Sequence, residues 1–193
     1  HGNNKTDEDI RYGVERNVGY FVADNLEEIR AIEAEAARQN RRQRVLLRLT
    51  PGIDPHTYAA VATGRVDSKF GNAIATGQAG EITAYTLRQP HVELTGFHCH
   101  VGSQVFEEDV FERAAAVMLE FAAHCKQAYG YTARQLDLGG GFGVRYVESD
   151  PSLDIDAKVG RLAAAVREAC DRLGMEMPEI RIEPGRSIVA NAG

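Results

Sequence analysis

Residues 135–143 read QLDLGGGFG, a short run typical of a β-strand followed at once by four glycines in five positions. Glycine lacks a Cβ, so such a turn lets the backbone approach another chain segment closely or present its N–H groups to an anion. The run therefore indicates either a phosphate-binding turn or a tightly packed one. The sequence around it has to decide between the two.

The chain around this run alternates between two patterns. Short β-branched or leucine-rich runs are separated by longer stretches in which apolar residues recur three and four positions apart. The predicted strands are GYFVA near Tyr20, VLLRL from Val45, VELTGF from Val92, QLDL from Gln135 and EIRIE from Glu179. This alternation is typical of βα units around a parallel sheet.

Unusual polar or glycine-rich sequence follows nearly every predicted strand. The segments are HGNN, TPG, HCHVGS, GGGFG and EPGRS. A (βα)8 barrel builds its site from the carboxyl ends of its strands, whereas a Rossmann domain has one GxGxxG after its first strand. We therefore predict an α/β fold, a partial TIM barrel over residues 1–193 that begins inside the fold, since five strands and a stub ending at His1 are fewer than eight.

Several element boundaries are also predicted. Residues Thr6 to Asp9 resemble a capping box, and Asp24 or Asn25 is suited to begin the next helix. Gly174 is placed to end a helix that starts at Ile155. The long connection from Thr50 to Thr76 interrupts the βα rhythm, and loops of that length are usually functional.

Composition excludes several classes of protein. The 193 residues are 44% hydrophobic and 26% charged, which suits one globular domain. No apolar run of about 18 residues is present to span a membrane. The net charge of −6 forms no basic stripe for nucleic acid. We expect a cytoplasmic protein with a small-molecule partner, and Cys99, Cys125 and Cys170 as reduced thiols.

The EPGRS segment, residues 183–187, places a carboxylate and a guanidinium together after a strand. One interpretation is a plain ion pair between Glu183 and Arg186. The functional one is that Glu183 keeps a heterocyclic nitrogen protonated while Arg186 binds a phosphate or carboxylate.

The HCHVGS segment places His98 and His100 two positions apart at a strand end. Such a pair can ligate a metal, but we find no further ligand with suitable spacing and predict no metal site. One histidine is expected in the core, and the other to stack on an aromatic cofactor whose phosphate accepts from Ser103. Arg48 lies in an apolar strand and needs an anionic partner. His56 and His91 are expected at the surface without partners.

Five motifs together resemble the diaminopimelate decarboxylases, pyridoxal-phosphate enzymes of the alanine-racemase-like barrel class. They are HGNNK, VDSKFG, GFHCHVGSQ, LDLGGGFG and EPGRSIVA, in the family's order and approximate spacing. Each motif alone is modest, but the resemblance extends over essentially the whole chain. It implies decarboxylation of meso-diaminopimelate to L-lysine, in lysine biosynthesis, by a homodimer.

Residue roles follow from the resemblance. It implies that His100 stacks on the pyridine ring and that Glu183 pairs with the ring nitrogen. It further implies the residues around the phosphate and the back of the cofactor: Ser103, Gly139, Gly140, Gly141, Gly185 and Arg186 at the phosphate, Arg186 also at the substrate carboxylate, and Arg48 behind the ring.

Two parts of the family pattern are absent from the sequence. The lysine that forms a Schiff base with the cofactor normally lies in a motif like YAxKA on the first barrel strand, and the C-terminal β domain normally follows the barrel. We therefore expect this chain to be inactive alone. Alternatives left open are a sister ornithine or arginine decarboxylase, a non-catalytic regulatory relative and an FMN-type barrel.

Overall fold

The computed structural model describes residues 1–53, 70–190 and 192. Helices and strands alternate along this part of the chain as predicted. Its helices are α1 (Asp7–Glu15), α2 (Leu26–Arg38), α3 (Gln78–Thr86), α4 (Val110–Tyr129), α5 (Ile155–Leu173) and α6 (Gly185–Val189). Its strands are β1 (Phe21–Ala23), β2 (Gln43–Thr50), β3 (Asn72–Ala73), β4 (Val92–His98), β5 (Gln135–Asp137) and β6 (Glu179–Arg181).

The strands form one parallel sheet in the order β1-β2-β4-β5-β6, with β3 paired to the end of β2. Because the order follows the chain, each crossover brings the next strand beside the last, as in a barrel wall. All five predicted strands are present. The short β3 was not predicted, since it lies within the long connection after Thr50, of which residues 54–69, including His56, are outside the described part.

Burial on both faces explains the apolar strand sequences. In β2 the side chains of Val45, Leu46, Leu47 and Leu49 are all buried, as in parallel sheets covered by helices. Helices α4 and α5 pack against each other and contribute apolar stripes to the same core, among them Met118, Cys125, Leu162, Val166 and Cys170.

The predicted helix ends are confirmed. Thr6 and Asp9 form the capping box at the start of α1. Asn25 rather than Asp24 caps α2, its side chain accepting from the Glu28 N–H. Gly174 ends α5 in the left-handed region with φ 59°, where glycine avoids the strain of a Cβ. None of the helices in the described residues is long and apolar enough to cross a membrane.

Candidate active site at the carboxyl ends of the strands

Three side chains meet at the ends of β4 and β6. His98 is the last residue of β4, Glu183 follows β6 by two positions, and His1 lies ahead of α1. The Nε2 atom of His1 is 3.2 Å from Oε1 of Glu183, and Nε2 of His98 is 3.5 Å from Oε2. The two histidine Nε2 atoms are 3.1 Å apart. The parallel sheet thus brings together residues that are far apart in sequence.

This arrangement fixes the charge of Glu183. The hydrogen bonds from His1 and then His98 lower the pKa of the Glu183 carboxyl, although its partial burial opposes them. Burial lowers the pKa of His98, whose side chain is fully enclosed. The site therefore presents an ionised carboxylate next to a neutral imidazole at neutral pH.

The glycine turn after β5 packs backbone against backbone. A Cβ on Gly139 would lie 2.5 Å from the Cys99 carbonyl oxygen. A Cβ on Gly140 or Gly141 would lie 1.9 Å from the carbonyl oxygen of Glu183 or Gly102, respectively. Tight packing is thus one reason for the run. It also places the turn directly against the HCHVGS and EPGRS segments.

The ring of His100 lies beside this turn. The Gly140 N–H donates to Nδ1 of His100 at 3.3 Å, so the neutral ring carries its proton on Nε2. Burial, followed by the positive charge of Arg48, lowers the pKa of His100 to about 4. A neutral imidazole held by one edge has a flat face suited to stacking on an aromatic ring.

A cation and a hydroxyl meet on the other side of the turn. Arg186, in α6, donates from Nη2 to Oγ of Ser103 at 3.1 Å and from Nη1 to the Tyr146 hydroxyl at 2.9 Å. Gly185 begins the same helix. Guanidinium and hydroxyl groups are suitable partners for phosphate oxygens, so this corner fits the phosphate of a cofactor.

Arg48 has the anionic partner that its burial requires. Its Nε lies 3.7 Å from Oδ1 of Asp24, with both side chains about nine-tenths buried. Its guanidinium also lies over the Phe70 ring, 4.7 Å from the centroid. Burial lowers its pKa, opposed by Asp24 and Glu183. Arg48 is thus close enough to influence Glu183 and His100 electrostatically.

The structure contradicts some of the simpler interpretations of the sequence motifs and confirms others. Glu183 contacts His1 and His98 while Arg186 contacts Ser103 and Tyr146, so the EPGRS residues do not form the plain ion pair within the described contacts. The expectation that His91 lacks a partner is wrong, since its Nδ1 lies 2.7 Å from Glu33. A core position for one histidine is confirmed at His98. All three cysteines are free thiols.

The burial of Cys99 disfavours a role as a nucleophile. Cys99 is fully buried, and burial raises the pKa of its thiol to about 12, so almost no thiolate exists at neutral pH.

The donor atoms of His1, His98 and Glu183 lie within 4.8 Å of one another, a spacing that a metal ion can use. The absence of a metal site stays a prediction, and the two ligands that the sequence spacing did not indicate are His1 and Glu183.

Three residues of the candidate site were not predicted from the sequence. His1 was assigned no role within HGNNK, and Tyr146 has no sequence feature that marks it. Asp137 is a buried carboxylate in β5 that accepts from the Gly139 N–H at 2.9 Å, and burial raises its pKa. A charged residue inside an apolar strand, the feature that identified Arg48, would also have identified Asp137.

The fold and the site together define a barrel-type α/β domain whose candidate site, at the carboxyl ends of its strands, has groups suited to a phosphorylated aromatic cofactor. Residues 1–190 match the family model described as the pyridoxal binding domain of pyridoxal-dependent decarboxylases. The chain belongs to this family. Its predicted cofactor class, fold class and family resemblance are thereby confirmed.

Similar proteins agree with this assignment. The chain is 40% identical over 193 residues to diaminopimelate decarboxylase of Bacillus subtilis (strain 168), covering all of this chain and 44% of that protein. It is 42% identical to the enzyme of Staphylococcus aureus (strain COL), with the same coverage. A crystal structure of diaminopimelate decarboxylase from M. jannaschii in complex with L-lysine matches with a TM-score of 0.89 and 30% identity, over 99% of this chain and 43% of that one. The chain thus spans less than half the length of these relatives.

Proposed function

We propose that the protein is a pyridoxal-phosphate-dependent decarboxylase that converts meso-diaminopimelate to L-lysine, and that residues 1–193 supply its cofactor-binding barrel domain as part of a longer chain. The observation that carries the proposal is the convergence of an ionised Glu183, a neutral His100 and the glycine turn at one rim of the sheet. When bound, pyridoxal phosphate supplies an electron sink for the carbon that loses carbon dioxide.

The chain's residues have distinct tasks toward that cofactor. Glu183 holds a proton at the ring nitrogen, since an ionised carboxylate favours the protonated form of a neighbouring base. His100 packs on the ring face. The phosphate partners are Ser103, Gly139, Gly140, Gly141, Gly185 and Arg186. A Cβ on Gly139, Gly140 or Gly141 would overlap a neighbouring carbonyl oxygen, so the glycines allow the turn to lie directly against the segments that carry Ser103 and Arg186.

Arg186 and Arg48 supply the positive charge. The Arg186 guanidinium, exposed enough to meet a ligand, is placed to bind the phosphate and the substrate carboxylate. Arg48 lies deeper, held by Asp24, and serves behind the cofactor. Its charge disfavours protonation of His100, which keeps the stacking ring neutral.

The three lysines among the described residues are poorly suited to bond the cofactor. The side chain of Lys5 is 6% exposed and pairs with Glu28 at 2.8 Å, and Lys158 is fully buried between helices. Lys126 lies at the exposed end of α4, and Lys69 falls outside the described residues. We therefore propose that another part of the protein supplies this lysine and that residues 1–193 alone are inactive.

The proposed substrate rests on the relatives. Those similar over the whole chain are named diaminopimelate decarboxylases, and one was crystallised with L-lysine. We further propose a cytoplasmic homodimer without membrane or nucleic-acid partners, in keeping with the net charge of −6. A sister ornithine or arginine decarboxylase is the competing hypothesis, because the cofactor contacts are shared while substrate specificity is decided elsewhere.

The direct test is lysine formation from meso-diaminopimelate by the full-length protein with added pyridoxal phosphate, with ornithine and arginine assayed in parallel. Glu183→Gln and His100→Ala should each lower kcat about tenfold or more, the scale expected for losing a contact to a charged group. His124→Gln, at an exposed position of α4, is the matched control. Carbon dioxide release only from ornithine or arginine would keep the family and refute the substrate.

A further inference from the structure

The two histidines next to Glu183 lie in different environments. His98 is completely buried, whereas the side chains of its neighbours His1 and Glu183 are 42% and 38% exposed. It approaches Glu183 from within the core, with Nε2 3.5 Å from Oε2. The other carboxylate oxygen, Oε1, faces the more exposed His1 at 3.2 Å. One oxygen therefore has a fixed partner and the other an exposed, displaceable one.

The hydrogen-bonding requirements of the cluster determine where the protons are. The Gly2 N–H donates to Nδ1 of His1 at 3.1 Å, so the proton of a neutral His1 is on Nε2 and points to the carboxylate. The Nε2 atoms of His1 and His98 are 3.1 Å apart, and with a proton on each they are two donors that share Glu183 as acceptor and do not hydrogen-bond each other. Within the described chain, Nδ1 of His98 has no hydrogen-bond partner. Since an ionised carboxylate only accepts, the one proton of a neutral His98 belongs on Nε2, directed at Glu183.

We propose that His98 is a positioning residue that fixes the Glu183 carboxylate by donating from Nε2 to Oε2, which leaves Oε1 available to the ring nitrogen of the cofactor. The inference rests on the proposed role of Glu183. His98 does not touch the cofactor, and it acts only through the carboxylate. His1 occupies the side of the carboxylate that faces outward, so it is the partner that yields when the ring nitrogen binds.

Two amide variants of the full-length protein distinguish an N–H donor that can reach Glu183 from a polar side chain that cannot. His98→Gln places an N–H near the position of Nε2, whereas His98→Asn places it near the position of Nδ1, too short to reach Glu183. Pyridoxal phosphate is titrated into each apoprotein and followed by its absorption. We expect the dissociation constant of the Asn variant to rise about tenfold, as for one lost hydrogen bond to a charged group, and that of the Gln variant to change by less than about threefold.

Two further readouts identify positioning rather than packing. Selective ¹⁵N labelling of histidine in the apoprotein should show His98 as the Nε2–H tautomer, its signals assigned by their loss in the Gln variant. In turnover, the Asn variant should lower kcat and leave KM for the substrate nearly unchanged, because Glu183 acts on the cofactor and not on the substrate. His124→Gln is again the control.

Each outcome distinguishes this inference from the proposed function. Equal cofactor affinity in both amide variants, or an Nδ1–H tautomer, would overturn the role of His98. An Asn variant that unfolds at lower temperature but binds cofactor normally would make His98 a packing residue and also refute it. If the wild-type protein binds pyridoxal phosphate but produces no lysine, the substrate proposal fails while the affinity and tautomer results still decide the role of His98.

Discussion

At the scale of single residues, the glycine turn shows how steric exclusion builds the site. Gly140 passes so close to the Glu183 backbone that a Cβ would overlap its carbonyl oxygen at 1.9 Å. The Glu183 N–H also donates to the Gly139 carbonyl at 2.8 Å. The position of Glu183 therefore depends on the absence of a side chain on the neighbouring turn.

Gly140→Ala should impair both folding and cofactor binding for this reason. We expect a loss of about 1–3 kcal/mol in the free energy of unfolding, the range for overpacking, together with weaker binding of pyridoxal phosphate. Gly160→Ala is the control, since its Cβ would meet nothing within 4 Å in helix α5 and should add about 0.5–1 kcal/mol. Denaturant unfolding of both variants measures the contrast. A Gly140→Ala protein as stable as the wild type would contradict the steric argument.

The buried thiol of Cys99, between His98 and His100, should be unreactive. Because burial raises the pKa of Cys99 to about 12, its thiolate fraction at pH 8 is roughly a thousandfold below that of a free cysteine. Mass spectrometry after a short pulse of iodoacetamide should find Cys99 unmodified in the native protein and alkylated in denaturant. A cysteine-containing peptide serves as the reference. Alkylation of native Cys99 at the peptide's rate would show that the site opens.

The kind of partner that a residue contacts was predictable where the chemistry of its side chain leaves few choices. Arg48 in an apolar strand required an anion, and Asp24 supplies it. The contacts of His98 were not predictable, since they depend on which strand ends the sheet brings side by side. His98 and Glu183 are 85 positions apart, and only the parallel pairing of β4, β5 and β6 makes them neighbours.

At the scale of elements, local sequence determined the helices well. The capping box of α1, the Asn25 cap of α2 and the Gly174 end of α5 follow from residue chemistry within one turn. Helix α4, by contrast, starts at Val110 without a side-chain hydrogen bond to cap it. Strand β3 has only two residues, too few for periodicity to reveal, and is formed by pairing with β2.

The contact between α4 and α5 includes a buried charge that the sequence did not reveal. Lys158 is fully enclosed, and its Nζ donates to the carbonyl oxygens of Glu107 at 2.8 Å and Glu108, with Glu112 at 3.6 Å. It also lies 5.7 Å from the Phe111 ring centroid. One side chain thus joins the start of α5 to the segment preceding α4.

Lys158→Met should therefore destabilise the protein although it removes a charge from the core. The two carbonyl groups and Glu112 would lose a charged donor, at a cost of about 1–3 kcal/mol in the free energy of unfolding. Lys126→Met, at an exposed position in the last turn of α4, should change it by about 0.5 kcal/mol or less. Thermal and urea unfolding measure the difference. Equal stability of the two variants would show that methionine packing compensates for the lost hydrogen bonds.

At the scale of the whole molecule, the class of fold was predictable and the surroundings of its sheet were not. Five strands followed by polar segments indicated a barrel wall, and the order β1-β2-β4-β5-β6 confirms consecutive parallel pairing. Which segments cover the outer surfaces of the sheet depends on contacts between residues far apart in sequence. The periodicity within one helix or strand does not predict those contacts.

Apolar surface near β6 leads to the last prediction. An apolar cavity of about 270 Å³ lies beside α5, lined by Val159, Leu162, Ala163, Val166, Arg167, Met177, Ile180 and Ile182. Close in sequence, Ile188 and Val189 of α6 are 72% and 63% exposed. Exposed apolar side chains such as Ile188 and Val189 promote association.

Residues 1–193 expressed alone should consequently bind the dye ANS and associate as their concentration rises, and the full-length protein should do so much less. Ile188→Glu should weaken association by placing a charge on the apolar surface. Tyr12→Glu, at a separate position in α1 that is 58% exposed, should not, because isolated surface hydrophobics are common and tolerated. Light scattering and ANS fluorescence measure both effects. A monomeric 193-residue chain without dye binding would mean that this apolar surface rearranges and covers itself.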